Sequence, residues 1–258
     1  MAATLEGLPS AADLYDYRRA DTGGVPLWLP HNQGDVFDDV DLTTVTGEPG
    51  TGMVMLFLHP CTMRRGNGEL IERATVIRVR PKSARKPLDE PHRWANHYSV
   101  IPLPDFSGTQ SDAYEGDLFA MGTVPMSVLQ RTKRVAALSE LGRSHMLHRV
   151  IFHLTRLAVP TVSLQQATAV VQTELQLQAD WCETACGHGG SIDEQDVTAH
   201  EAAFQSLLNQ PWPEGSPDVA ETIRTKLTSE NSADREDAYR HLWARIEAGE
   251  PGASAASR

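Results

Sequence analysis

The sequence has no long apolar run and only a few cysteines. The first feature argues against a membrane-spanning protein, and the second argues against a disulfide-rich secreted one. No stretch approaches the roughly eighteen apolar residues that a membrane-spanning helix needs. Residues 1–24 carry acids where a secretory signal has basic and then apolar residues. Three cysteines, Cys61, Cys182 and Cys186, are too few for a disulfide-rich secreted scaffold. We therefore expect a cytoplasmic protein with no membrane partner.

The sequence also lacks the motifs of several enzyme classes. It contains no Gly-x-Ser-x-Gly nucleophile turn, no phosphate-binding loop and no dinucleotide fingerprint. Cys182, Cys186 and His188 are of the right types for zinc, but they supply only three ligands at none of the usual spacings. The alternative is a helix that carries both cysteines on one face and ends at Gly187. We expect no metal and no cofactor.

The net charge of −11 is distributed unevenly along the 258 residues. Residues 1–63 carry −7, residues 64–170 carry +6, and residues 171–258 carry −10. The basic middle segment holds most of the arginines, and the planar guanidinium group suits phosphate. This distribution predicts either an anion-binding surface or a basic segment that faces the acidic ones within the molecule.

Short apolar runs begin after residue 34 and predict strands at residues 36–37, 53–58, 74–79, 98–103 and 117–121. Residues 53–58 are continuously apolar, as in a strand that is buried on both faces. Residues 75–80 alternate, and we expect their arginines on one exposed face. Glycine and proline residues separate the runs. This density of short strands predicts a small barrel.

Helical spacing of apolar residues begins near Gln130 and continues to Leu157, with Ser139 as a candidate N-cap. Other helices are predicted at residues 11–19, 163–181, 194–208 and 217–248, the last broken near residues 229–232. The fold class is α+β. The predicted parts are an N-terminal arm (1–32), a barrel with its closing helix (33–158), a mainly helical acidic extension (159–250) and a disordered tail (251–258).

The order of these elements is similar to that of the MazF/PemK toxin family over residues 33–158. Gln33-Gly-Asp-Val-Phe37 resembles the family's opening Gly-Asp-Ile/Val strand. Thr132-Lys-Arg-Val-Ala-Ala-Leu-Ser139 resembles its closing basic residue, apolar pair and Leu-Ser, which precede an amphipathic helix. The resemblance implies an SH3-like barrel closed by that helix, RNA cleavage without a metal, and a homodimer.

The family's chemistry depends on an arginine just before the second strand and on a threonine or serine just after the third. Here residues 46–52 contain no arginine, while Ser83 stands near the hydroxyl position. We therefore expect a MazF/PemK-like nucleic-acid-binding protein that is either a metal-independent endoribonuclease or a catalytically degenerate interaction module. The expected partners are RNA or another nucleic acid, an acidic protein, or the chain's own C-terminal extension.

The loop His59-Pro-Cys-Thr-Met-Arg-Arg-Gly-Asn-Gly68 offers suitable residue types for RNA cleavage. A histidine accepts or donates a proton near neutral pH, and an arginine stabilises the negative charge of a phosphorane. The candidate catalytic residues are therefore His59, Arg64, Arg65 and Ser83. The alternative is a structural turn with solvated arginines.

The predicted nucleic-acid-binding residues are basic side chains of one strand and the loop after it, joined by one aromatic residue: Arg78, Arg80, Lys82, Arg85, Lys86, Arg93 and Trp94. Trp94 and Tyr98 lie among basic residues in the sequence. Aromatic residues interleaved with basic ones are typical of surfaces that stack nucleobases and bind the phosphates of single strands. The alternative is that both aromatic residues belong to the core.

Overall fold

The structure is a computed structural model that describes residues 6–19, 24–59, 62–65, 70–82, 98–106, 113–187, 193–213 and 221–250. The chain divides into two compact units. The first comprises Met1–Pro26, His31–Met63 and Ile71–Thr168, and the second comprises Leu27–Pro30, Arg64–Leu70 and Ala169–Arg258.

The first unit is built on one antiparallel sheet of seven strands, in the order β1-β7-β2-β3-β4-β6-β5. The strands are β1 (Tyr15–Arg18), β2 (Val36–Asp41), β3 (Thr51–Leu56), β4 (Arg73–Pro81), β5 (Val100–Pro104), β6 (Ala113–Pro125) and β7 (Arg134–Leu138). Three helices accompany the sheet: α1 (Ala11–Leu14), α2 (Thr43–Thr46) and α3 (Glu140–Thr155).

The sheet curls into a half-barrel, and side chains join its two edge strands. The hydroxyl of Tyr15 in β1 donates to the carbonyl oxygen of Pro104 in β5 at 3.2 Å. Arg18 donates to the carboxylate of Asp105 at 2.9 Å. The apolar core lies inside the curl and contains the buried residues Leu14, Val36, Met55, Ile77, Val79, Ile101, Leu103, Phe106, Leu118, Val135, Leu138 and Met146. The α+β class is confirmed.

All five predicted strands are present, and most are longer than the apolar runs that predicted them. Val54, Met55 and Leu56 have no exposed surface, as expected of a strand that is buried on both faces. In β4 the burial alternates only partly, because the register against β6 shifts between Ile77 and Arg78. A bulge of this kind changes the direction of the side chains that follow it.

Two strands were missed by the sequence analysis. The helix predicted over residues 11–19 is correct only at its start, because it ends at Leu14 and the chain continues as β1. This part of the predicted arm therefore belongs to the sheet, where Tyr17 pairs with Ala137 of β7. Val135 and Leu138, which were assigned to a helix, lie in β7. A buried apolar run of four residues, Val135 to Leu138, fits either structure, and the pairing partners decide between them.

The amphipathic helix α3 begins where the sequence predicted. The Ser139 hydroxyl accepts a hydrogen bond from the Gly142 amide at 3.0 Å, which is an N-cap. The amide of Ser139 also donates to the carbonyl oxygen of Leu14 at 3.0 Å. A Cβ atom at Gly142 would collide with that same carbonyl group. Glycine is therefore required where α1 meets the start of α3.

The second unit is helical in the part of the chain that the structure describes. Its helices are α4 (Thr161–Cys186), within which the division between the units falls, α5 (Glu194–Leu208), α6 (Ile223–Leu227) and α7 (Ser232–Glu247). Their apolar side chains form a separate core of Leu177, Trp181, Cys182, Phe204, Leu207, Leu208, Ile223, Leu227, Ala238, Leu242 and Ile246. The helices predicted at residues 163–181 and 194–208 are confirmed, and so is the break before α7.

None of the helices in the described ranges has the length and apolar character required to cross a membrane. The predicted tail at residues 251–258 lies outside the described residues.

Candidate nucleic-acid interface

The basic face predicted on β4 is largely neutralised by acidic side chains of β6. Arg80 lies opposite Glu115 in the register, and its guanidinium lies 3.0 Å from the Glu115 carboxylate and 3.4 Å from that of Asp117. Arg78 is half-buried and lies opposite Asp117. Two carboxylates therefore surround the exposed guanidinium of Arg80, and Arg80 presents little net positive charge to a phosphate.

The backbone of His59, in the segment after β3, is held by Thr62. The amide and the hydroxyl of Thr62 both donate to the His59 carbonyl oxygen, at 2.9 and 2.7 Å. Burial of its ring lowers the pKa of His59 below the ordinary histidine value. A histidine with a lowered pKa is neutral at pH 7, which suits it to accept a proton.

Arg64 is held by a buried carboxylate. Its guanidinium lies 2.9 Å from Oε1 of Glu201 on α5, and Glu201 has no exposed surface. Arg64 and Arg65 belong to the second unit, whereas His59 belongs to the first. The joint catalytic role of His59, Arg64 and Arg65 stays a prediction.

The remaining predicted residues are partly described. Arg65 is exposed and Lys82 is half-buried. The others, Ser83, Arg85, Lys86, Arg93 and Trp94, lie outside the described residues.

A surface of aromatic and basic side chains, which we call the aromatic surface, lies where β5, β6 and the end of α3 meet. It consists of Tyr98, Phe119, His153 and Arg156, with Phe152 beneath them. Phe119 is 78 % exposed and Tyr98 is 37 % exposed. The Phe119 and His153 rings meet edge to face with centroids 5.1 Å apart.

Arg156 supplies the fixed positive charge of the aromatic surface. Its guanidinium carbon lies 5.2 Å from the centre of the Tyr98 ring and 5.9 Å from that of Phe152, within the range of a cation–π contact. The backbone of Arg156 is left-handed, with φ of 62°, where it caps the C-terminus of α3, and its amide donates a hydrogen bond to the Phe152 carbonyl oxygen. This turn brings the arginine back over the ring.

His153 is oriented by a hydrogen bond with the backbone. Its Nδ1 lies 2.9 Å from the carbonyl oxygen of Tyr98. A carbonyl oxygen only accepts, so Nδ1 carries the proton and the lone pair of the neutral ring is on Nε2. The aromatic surface thus combines a large exposed ring, a hydrogen-bond acceptor and a fixed cation.

Of this surface, only Tyr98 was predicted from the sequence. Phe119 and Met121 are apolar residues at exposed positions of β6, and such residues at exposed strand positions can indicate a binding surface. Arg156 was counted in the basic segment, but nothing local to the sequence places it over Tyr98, which is distant along the chain.

The two ends of the MazF/PemK resemblance meet in a buried ion pair. Asp35 comes from the opening Gly-Asp segment and Arg134 from the closing basic segment, and their charged groups lie 2.9 Å apart with almost no exposure. Arg134 also donates to the carbonyl oxygen of Pro26 at 2.9 Å. Burial raises the pKa of Asp35, and the arginine opposes that effect. This buried pair joins the start of β2 to β7, and these strands carry the two ends of the resemblance.

The possible zinc ligands do not form a cluster in the described ranges, where no group of three metal-ligating side chains lies together. Cys182 is buried in the second core and Cys186 lies at the end of α4. Gly187 follows with φ of 70°, as a C-terminal cap. His188 lies outside the described residues.

Comparisons of the chain with family models, with curated proteins and with solved structures found no match. The resemblance to the MazF/PemK family therefore rests on the quoted residues, and it stays a prediction.

Proposed function

We propose that this protein binds single-stranded nucleic acid, RNA in the first instance, through the aromatic surface. The observation that carries the proposal is the exposure of Phe119, 78 %, beside the His153 ring, on a surface where Arg156 covers Tyr98. An isolated exposed phenylalanine is unremarkable in a folded protein. Its combination with a second aromatic residue, a histidine and an arginine is the arrangement that takes unpaired bases.

In this proposal Phe119 stacks on a base and Arg156 neutralises an adjacent phosphate. Stacking on an aromatic side chain contributes about 1–3 kcal/mol per base. It needs no particular base, since every base has a π-face, so the expected binding has weak sequence preference. The half-barrel would be of the SH3-like MazF/PemK type, followed by an acidic helical extension, with the strand face of Arg78 and Arg80 in a minor role.

RNA cleavage is a second candidate function, and the lowered pKa of His59 favours it. A neutral histidine can accept the proton of a 2′-hydroxyl. Cleavage also needs a cation near the phosphate. Support for one is weaker, because Arg64 is paired with Glu201 and residues 46–52 contain no arginine. Incubation of the protein with RNA in excess EDTA, with His59→Gln as the control, tests this second function.

The first test of binding is fluorescence anisotropy with a labelled unstructured RNA and the Phe119→Ala variant. Loss of one stacked base predicts binding that is about tenfold weaker, at unchanged salt dependence. Tyr239→Ala is the control, because Tyr239 is an exposed aromatic residue of the second unit, outside the aromatic surface. It should bind like the wild type.

Three results would count against the proposal. The first is the absence of binding by the wild-type protein at low salt. The second is an equal loss of affinity in the Phe119→Ala and Tyr239→Ala variants, and the third is tighter binding to duplex than to single strands. Thermal unfolding of both variants shows whether either change disturbs the fold.

A further inference from the structure

Arg64, which forms a buried ion pair with Glu201, lies in a short antiparallel pairing of residues 63–64 with residues 70–71, called the hairpin below. Arg64 forms an isolated antiparallel bridge with Leu70, and the amide of Ile71 donates to the carbonyl oxygen of Met63 at 2.9 Å. The guanidinium is 11 % exposed and the Glu201 carboxylate is fully buried. Both members of the pair belong to the second unit. A predicted phosphate-binding arginine is therefore neutralised within its own unit.

A carboxylate and a phosphate bind a guanidinium group in the same way. Both offer anionic oxygens that match the planar fork of arginine. We propose that Glu201 masks Arg64 from nucleic-acid phosphate, so that the carboxylate must be displaced before this hairpin contributes to binding. The inference rests on the proposed nucleic-acid function and concerns its regulation.

Arg65, next to the buried pair, is exposed. Exchange at Arg64 takes its guanidinium away from a fully buried carboxylate, and this costs free energy unless the hairpin and α5 separate locally. The pair thus behaves as an autoinhibitory contact with two arrangements, one in which Arg64 is bound to the carboxylate and one in which it is bound to phosphate.

The test is the Glu201→Gln variant of the full chain, with the same labelled RNA. Glutamine keeps the size of the side chain and an acceptor for Arg64, but it removes the charge that competes with phosphate. We expect binding that is about tenfold tighter. The plot of log affinity against log salt should steepen by about one unit, because one more phosphate is neutralised. Adding Arg64→Gln should return both quantities to the wild-type values.

Glu174→Gln is the matched control, because Glu174 pairs with Arg224 of α6 at 3.5 Å in the same helical unit. Like Glu201→Gln, it removes one negative charge, and it should change affinity only slightly. Equal gains in Glu174→Gln and Glu201→Gln would overturn the masking proposal, since a general charge effect would then explain both.

The outcomes separate this inference from the function on which it rests. If Phe119→Ala loses binding while a folded Glu201→Gln binds like the wild type, the masking is wrong and the proposed function stands. If neither the wild type nor Glu201→Gln binds RNA, both are wrong. Should Glu201→Gln fail to fold, the double variant Arg64→Met with Glu201→Met replaces the whole buried pair. That variant has neither mask nor cation, so wild-type affinity supports the proposal and tighter binding overturns it.

Discussion

The β4 face and the aromatic surface both carry arginine, yet they differ in what surrounds the charge. On β4, the guanidinium of Arg80 lies between the carboxylates of Glu115 and Asp117. On the aromatic surface, the guanidinium of Arg156 lies over a tyrosine ring. A carboxylate neutralises a cation, whereas a ring leaves its charge available to a phosphate. A count of basic residues along the sequence therefore does not locate an anion-binding surface.

The Arg156→Ala variant is the strongest test of the difference between the two surfaces. It removes both the cation and its contact with Tyr98, so we expect nucleic-acid binding to weaken by about tenfold, with a salt slope that is smaller by about one. Anisotropy titrations at several salt concentrations measure both quantities. Arg240→Ala, which removes an exposed arginine of α7 with carboxylate partners, is the control and should change little. Equal losses in the two variants would remove the distinction between the surfaces.

A second test removes a carboxylate partner of Arg80 on the β4 face. Glu115→Gln removes the nearer carboxylate partner of Arg80 and leaves Asp117, whose side chain also accepts from the Phe119 amide. We expect binding that is about twofold tighter, because Arg80 stays 44 % exposed and solvent screens its charge. A gain as large as the loss in Arg156→Ala would make β4 the principal interface.

The smallest expected effect concerns the pH dependence of stability at His59. Because burial lowers the pKa of His59, the unfolded chain binds a proton at a higher pH than the folded protein does. The free energy of unfolding should therefore fall as the pH drops below about 6.5, the unfolded value for histidine. Urea unfolding at pH 7.5 and pH 5.5 measures the difference.

His59→Gln should reduce this difference without abolishing it, because burial also lowers the pKa of His145 and His200. An unchanged difference in His59→Gln would show that the His59 ring is solvated. Its fitness as a proton acceptor would then differ little from that of any surface histidine.

The strands and helices with strong local signals were predicted well. The continuous apolar run at residues 53–58 predicted β3, and Ser139, as an N-cap residue, predicted the start of α3. β1 and β7 were missed because they are short, and a short strand is defined by its partner more than by its own residues. Residues 194–208 formed a helix with the predicted bounds, since a side-chain cap at Asp193 marks its start.

The candidate interface was predicted less well than the fold. The sequence singled out Tyr98, Arg78 and Arg80, but the register of β4 against β6 decided that Arg80 faces Glu115. The left-handed turn at Arg156 decided which cation covers Tyr98. Both outcomes depend on pairs of residues far apart in the chain, and no local pattern records such pairs.

The amino-acid sequence alone is enough to predict the α+β class, most of the strands and helices, and a basic middle segment between two acidic ones. These follow from the periodicity of apolar residues and from simple charge, which are properties of neighbours along the chain. Only the tertiary structure decided which arginines are neutralised, at Arg64 and Arg80, and which lies over a ring, at Arg156. The physical reason is that the field of a charge depends on the groups within a few ångströms, and folding chooses those groups.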